Sequence, residues 1–288
     1  MPSHFIDNTN INCFLEKKGK FLCVCDNIIN YTTSHIVNSV LLSSKILKSA
    51  QYPNLYNIVG NSVTPNTNIN ISLLKEPLIS LGLNVNDHIC VYAFNNTFIE
   101  GCLFIWKYLV LSGFQNVYYF NYDWTKLDSK YFTQDYPKWN YIKCDYEHLS
   151  ISISLEEVNL LNQNNQAKII DVRPANQFNG LTNFFKFNGH IPNAVNSPFL
   201  NLFVKDGSGN VTPVYKSREE IQEIVDATGF TKNQNVIISC NTGSEIGVYI
   251  FALVNILDWS YENIRAYDGG WNLYQLAYQK DPLLYPIA

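Results

Sequence analysis

The chain reads as an α/β protein built from two copies of a mainly parallel sheet flanked by helices. Three features point there: a strand–loop–helix stretch near Cys240, a long internal repeat, and strands alternating with helical segments along both halves.

The first feature is NVIISCNTGSEIGVYIFALV, Asn235 to Val254. Val236, Ile237 and Ile238 form a short apolar run expected of a strand buried on both faces. From Ile246 onward, Val248, Ile250, Phe251, Leu253 and Val254 recur at helical spacing. The polar, glycine-containing segment Cys240-Asn241-Thr242-Gly243-Ser244-Glu245 lies between them. A thiol therefore stands at the carboxyl end of a strand, where ligands collect in open α/β sheets.

The second feature is the repeat. LGLNVNDHICVYA (Leu81 to Ala93) aligns without gaps on TGFTKNQNVIISC (Thr228 to Cys240), and at the same offset NVYYFNYDW (Asn116 to Trp124) aligns on NIRAYDGGW (Asn263 to Trp271). Upstream, FLCVCD ends a strand at Asp26 and KIIDVR ends one around Asp171; His35-Ile36 and His190-Ile191 follow. Each copy then reads strand, loop, strand, helix, strand, helix, strand. We expect one domain over residues 1–135, a linker over 136–152 and a second domain over 153–288. Ala93 faces Cys240 in the alignment, so the nucleophile belongs to the second domain alone.

Composition excludes several classes. A length of 288 residues suits one large domain or two ordinary ones, and 47% hydrophobic residues support substantial cores. A net charge of −4 gives no electrostatic basis for nucleic-acid or anionic-lipid partners. No apolar run reaches the roughly 20 residues that span a bilayer. The N-terminal stretch MPSHFIDNTNINCF carries neither a secretory nor a transit pattern. Seven scattered cysteines do not form a disulfide framework, and a reduced, cytoplasmic chain is expected, with a mitochondrial pool left open. Cys23 and Cys25 lack a second pair at zinc spacing and read as buried small hydrophobes. No metal or cofactor is expected.

The motifs DVRPANQFNG (Asp171 to Gly180), GHIPNAVNSPF (Gly189 to Phe199), SCNTGS (Ser239 to Ser244) and YDGGW (Tyr267 to Trp271) occur in the order found in tandem-domain rhodaneses. The chain resembles that family, the thiosulfate and 3-mercaptopyruvate sulfurtransferases, with the first half similar to its non-catalytic copy. The resemblance implies two rhodanese-like domains. It also implies covalent catalysis, in which Cys240 takes a sulfane sulfur from a small-molecule donor and passes it to cyanide, a small thiol or a thioredoxin-like acceptor. A loop running into a helix turns successive N–H groups inward, favouring thiolate and persulfide and lowering the thiol pKa.

Thr242 matches the hydroxyl that the mercaptopyruvate branch carries two positions after its cysteine, whereas Asn241 and Thr242 lack the cations of the thiosulfate branch. Mercaptopyruvate is therefore favoured. That branch also holds its substrate carboxylate with two arginines. This chain has Gln177 at one of those places, and Phe184, Phe185 and Lys186 around the other. Arg173 completes the candidate substrate-binding set, although its place after Asp171 reads as structural. Glu245 stands where the family has a small, hydroxylic or basic residue. A carboxylate there caps a helix well, but it opposes a second anion beside the sulfur. His35, with Asp26 orienting it, is the candidate proton relay to Thr242, and His190 reads as structural.

Two other readings follow from the residues. A phosphatase of the C-x5-R type is disfavoured because Ile246 occupies the arginine position. A catalytically weak or inactive tandem module, acting in binding or regulation, is the alternative that Gln177 and Glu245 support.

Overall fold

The computed structural model describes residues 4–25, 28–43, 78, 80–94, 98–137, 139, 151–182 and 185–288. These fall into two compact units, each with its own parallel sheet.

In the first unit the strands are β1 (Phe5–Ile6), β2 (Lys20–Cys25), β4 (Ser39–Ser43), β5 (His88–Ala93) and β6 (Asn116–Phe120), in the order β1-β6-β5-β2-β4 with every neighbour parallel. A short β3 (His35–Ile36) pairs antiparallel with β7 (Phe132–Thr133). β2 and β5 are continuous apolar runs because central parallel strands bury both faces. One face carries Phe21, Tyr92 and Phe120, packed edge to face.

The second unit repeats this plan with β8 (Lys168–Asp171), β9 (Val195–Asn196), β12 (Val236–Ser239) and β13 (Ile264–Tyr267), in the parallel order β13-β12-β8-β9. Val91 stands opposite Tyr119, and Ile238 opposite Ala266, so both ladders join residues that the sequence repeat equates. The third strand corrects the sequence alignment. Leu22 is opposite Val91 and Ile170 is opposite Ile238, which places Cys23 and Cys25 where the second unit has Asp171 and Arg173. Asp26, aligned by sequence with Asp171, lies outside the described residues. The first unit thus fills with two buried thiols the places that the second fills with a buried ion pair.

β10 (Phe203–Lys205) pairs with β11 (Val211–Tyr215), and Val204–Tyr215 packs as part of the first unit although it lies within the sequence of the second half. Tyr119 donates its hydroxyl to the Pro213 carbonyl at 2.8 Å, Tyr215 N–H donates to Asn121 Oδ1 at 2.8 Å, and the Phe5 and Tyr215 rings meet at 6.0 Å. Among the described residues no helix is long and apolar enough to cross a membrane.

Candidate active site

β12 delivers Cys240 to the end of a strand whose four residues are all buried. The chain then turns through Asn241–Glu245 into a helix over Ile246–Phe251, continued by a π-helical turn over Ala252–Ile256. The thiol is fully buried. Gly243 N–H donates to Sγ at 2.9 Å and the Thr242 N–H also points at the sulfur. This is the inward-facing amide loop that the sequence predicts.

Gly243 makes that geometry accessible. Its φ is +94°, and a Cβ there would come within 2.8 Å of the Asp268 carbonyl oxygen. The segment around Asp268 also clamps the loop from the other side. Trp271 N–H donates to the Cys240 carbonyl at 2.8 Å, and Asn272 N–H donates to that of Asn241 at 3.0 Å. Both donors lie in the first turn of the helix Gly270–Lys280, whose opening N–H groups have no partner within the helix. Gly270, at φ +53°, lets this turn approach because any Cβ would strike the Cys240 carbonyl. The YDGGW motif is legible in sequence, but its task of holding the loop carbonyls is not. Gly243→Ala is expected to cost about 1–3 kcal/mol through its left-handed backbone. Withdrawing its N–H from the sulfur should also raise the thiol pKa further. Urea unfolding and alkylation against pH would show both, and an unchanged thiol titration would rule out the N–H as its stabiliser.

The electrostatics differ from the sequence expectation. Burial, followed by the Glu245 carboxylate, pushes the Cys240 thiol well above its ordinary value, and the Thr242 and Gly243 N–H groups pull it back only in part. The physical reason is that a fully buried thiolate loses its hydration while the negative charge of Glu245 opposes it. Glu245 has helical φ and ψ and makes no side-chain cap bond. Ser244 Oγ donates to its carboxylate at 3.4 Å.

Gln177 is brought to the loop. It lies on the short helix Ala175–Phe178, and its Oε1 accepts from Asn241 Nδ2 at 2.8 Å. Asn241 Oδ1 is buried without a partner, leaving an acceptor in the loop for a donor group. Lys186 is exposed, with its ammonium 5.3 Å from the Phe187 ring centroid; among the described residues no hydrogen bond links it to the loop. Phe184 lies outside the described residues.

Arg173 is taken up internally. It is 2% exposed, forks onto Asp171, donates from Nη2 to the Gly189 carbonyl at 2.9 Å, and lies 4.9 Å over the Trp271 ring. Asn196 Nδ2, which the sequence did not single out, donates to the carbonyls of Asp171 and Arg173 at 2.9 Å each and fixes the same strand end. His190 stacks on Phe178 at 3.7 Å and bonds its carbonyl through Nδ1, anchoring the helix that carries Gln177.

His35 is buried in the first unit. Nδ1 faces the Tyr31 carbonyl at 2.9 Å, Nε2 faces that of Asp135 at 3.1 Å, and the ring stacks on Tyr31 at 4.1 Å. Both nitrogens are engaged inside that unit.

Comparison with known proteins agrees with this architecture. The family model described as a rhodanese-like domain matches residues 154–277. Over 210 residues the chain is 28% identical to a Synechococcus elongatus protein named "Putative thiosulfate sulfurtransferase", covering 69% of this chain and 64% of that one. Over 123 residues it is 31% identical to the 3-mercaptopyruvate sulfurtransferase of Escherichia coli, covering 42% and 40%. Both alignments span less than two thirds of the relative's own length. The crystal structure of SseA from Escherichia coli, described under the rhodanese fold of 3-mercaptopyruvate sulfotransferases, superposes with a TM-score of 0.68 at 21% identity, over 93% of this chain and 99% of that one. Residues 154–277 match the rhodanese-like domain family, and the chain is similar to proteins named as thiosulfate and 3-mercaptopyruvate sulfurtransferases.

Proposed function

We propose that the protein is a sulfurtransferase that carries sulfane sulfur as a persulfide on Cys240. The observation that supports this most is the placement of Sγ beneath the N–H groups of Thr242 and Gly243, at a strand end whose counterpart in the first unit is Ala93. Amide donors that converge on one sulfur also suit the outer sulfur of a persulfide, which needs a fixed partner for its negative charge. Cyanide, a small thiol or a thioredoxin-like protein thiol serves as acceptor.

For the donor, we favour 3-mercaptopyruvate over thiosulfate. Thr242 supplies a hydroxyl two positions after Cys240, and the loop contains no lysine or arginine to receive a dianion. The carboxylate then meets Gln177, which the Asn241 bond holds at the loop. An amide offers neither charge nor the parallel N–H fork of an arginine. Binding should consequently be loose. Gln177→Arg is expected to lower KM for mercaptopyruvate on the order of tenfold, because a charge-assisted hydrogen bond contributes about 1.5–3 kcal/mol. The value of kcat should move less, as expected for binding that is equal in ground and transition states.

The test is steady-state transfer to cyanide from both donors side by side, together with intact mass after donor treatment. Product from mercaptopyruvate and one added sulfur support the reading. A second reading, a tandem module that binds without turnover, is favoured by burial and the Glu245 charge, which both push the Cys240 thiol above its ordinary value. It predicts no product and no mass gain from either donor.

A further inference from the structure

Beyond the helix Gly270–Lys280 the chain doubles back over the second unit. Asp281 makes the turn: its Oδ1 accepts from the Leu283 and Leu284 N–H groups at 3.2 and 3.0 Å, and its carbonyl accepts from that of Tyr285 at 3.0 Å. From Leu284 to Ala288 exposed and half-buried residues alternate as in an extended strand, and Tyr285 and Ile287 turn inward onto the core that holds Ile153, Trp271 and Tyr274. The carbonyls between them are tied down. Asn159 and Gln163, on the helix Leu155–Gln163, donate to that of Leu284 at 3.0 and 3.3 Å, and the Tyr274 hydroxyl donates to that of Pro286 at 3.0 Å. Ala288 then exchanges both backbone hydrogen bonds with His190, at 3.0 Å each, as paired antiparallel residues do. Gly189 permits this approach, because its φ is +106° and a Cβ there would strike the Ala288 carbonyl oxygen.

The pairing matters because of what Gly189 and His190 hold on their other side. The Gly189 carbonyl accepts from Arg173, the His190 ring stacks on Phe178 and bonds its carbonyl, and Asn188 Nδ2 donates to the Gly180 carbonyl at 3.0 Å. These contacts support the end of the helix Ala175–Phe178, whose Gln177 accepts from Asn241 in the loop after Cys240. A continuous series of packed groups therefore runs from Ala288 through His190 and Phe178 to the loop. The strands β8 and β12, by contrast, pair through their own ladder and need nothing from this segment.

We propose that Asp281–Ala288 is a positioning strap, whose pairing with His190 holds Gln177 where it meets the carboxylate of the sulfur donor. The donor's part in this rests on the sulfurtransferase reading above. The strap is anchored by two half-buried side chains and a few hydrogen bonds at the surface, so it opens more readily than the sheet beneath it. Opening frees the Gln177 helix and weakens donor binding. The Cys240 sulfur stays under the Gly243 N–H, because that bond lies within the loop itself.

Hydrogen exchange followed by mass spectrometry, on the full-length protein and on Tyr285→Ala/Ile287→Ala, tests the strap. Exchange over 175–182 should quicken on the order of fivefold together with that over 281–288, while β8 and β12 keep their wild-type protection. In steady-state transfer from 3-mercaptopyruvate to cyanide, KM should rise about three- to tenfold with kcat within about twofold. Tyr285→Phe/Ile287→Val keeps both inward side chains and should restore both readouts. Ala288→Pro removes the N–H given to His190 and should show the same effects at smaller size; made at an exposed position, it decides the matter if the double variant fails to fold. Faster exchange confined to 281–288, or spread equally to β8 and β12, overturns the proposal, as does an unchanged KM where exchange over 175–182 has quickened. Exchange needs no sulfur donor. Coupled exchange without product from either donor therefore keeps the strap and removes the sulfurtransferase reading, whereas product with exchange confined to the strap does the reverse.

Discussion

Replacing Cys240 with serine is expected to abolish sulfur transfer from either donor, by at least about 10^3-fold, and to remove the mass gain after donor treatment. The reason is that, among the described residues, Cys240 is the thiol that stands under the Gly243 N–H at the mouth of a loop. Cys23, Cys90 and Cys102 are buried in the first unit, and burial pushes each thiol well above its ordinary value. Cys25 is buried beside them, and Cys13 is exposed on the short helix Ile11–Glu16. Ala93 ends β5 with a methyl group where the second unit continues into its thiol. Serine keeps the loop's size and places a hydroxyl under the same N–H groups, so the variant should unfold at nearly the wild-type denaturant midpoint. Retention of donor-derived sulfur by the serine variant would place the carrier elsewhere and remove the loop from the mechanism.

The sequence locates Cys240 because strand, loop and helix are encoded contiguously there, and glycine at position 243 is required by a local φ. The pairing of β5 with β6 is legible for the same reason, since one gapless offset carries both strands onto β12 and β13. The register of β2 is not legible. Its loop differs in length from the one after β8, and an apolar strand with aspartate nearby aligns equally well when displaced. Only the ladder shows Cys23 opposite Tyr92, in the place where Asp171 stands opposite Ser239. The packing of Val204–Tyr215 with the first unit is also hidden, because it depends on contacts between residues about ninety positions apart, such as Tyr119 with Pro213. Glu245 is visible as an anomaly, but whether its carboxylate caps the helix or faces the sulfur depends on side-chain rotamers that sequence spacing does not specify.

Arg173→Met is expected to destabilise the protein by about 3–5 kcal/mol, as measured by denaturant unfolding, because it strands the Asp171 carboxylate without its partner in a buried site. The pair is tight: Nε lies 3.0 Å from Oδ1 and Nη2 lies 2.7 Å from Oδ2, with both side chains almost fully buried. A loss below about 1 kcal/mol would mean that water or a rearranged neighbour compensates the carboxylate. The double variant Asp171→Leu/Arg173→Met should recover much of the loss, since removing both charges leaves none unpaired. The first unit makes this outcome plausible in physical terms, because Cys23 stands there at the ladder position of Asp171 and Cys25 follows it at the spacing of Arg173. What the double variant should not recover is the geometry of the loop. Arg173 lies against the Trp271 ring, and the Trp271 N–H holds the Cys240 carbonyl at 2.8 Å. Its Nη2 also ties down Gly189, next to the His190 that anchors the Gln177 helix. A stable double variant with slowed alkylation of Cys240 would assign the ion pair to positioning the loop. A stable one with wild-type reactivity would reduce it to a structural substitute for two cysteines.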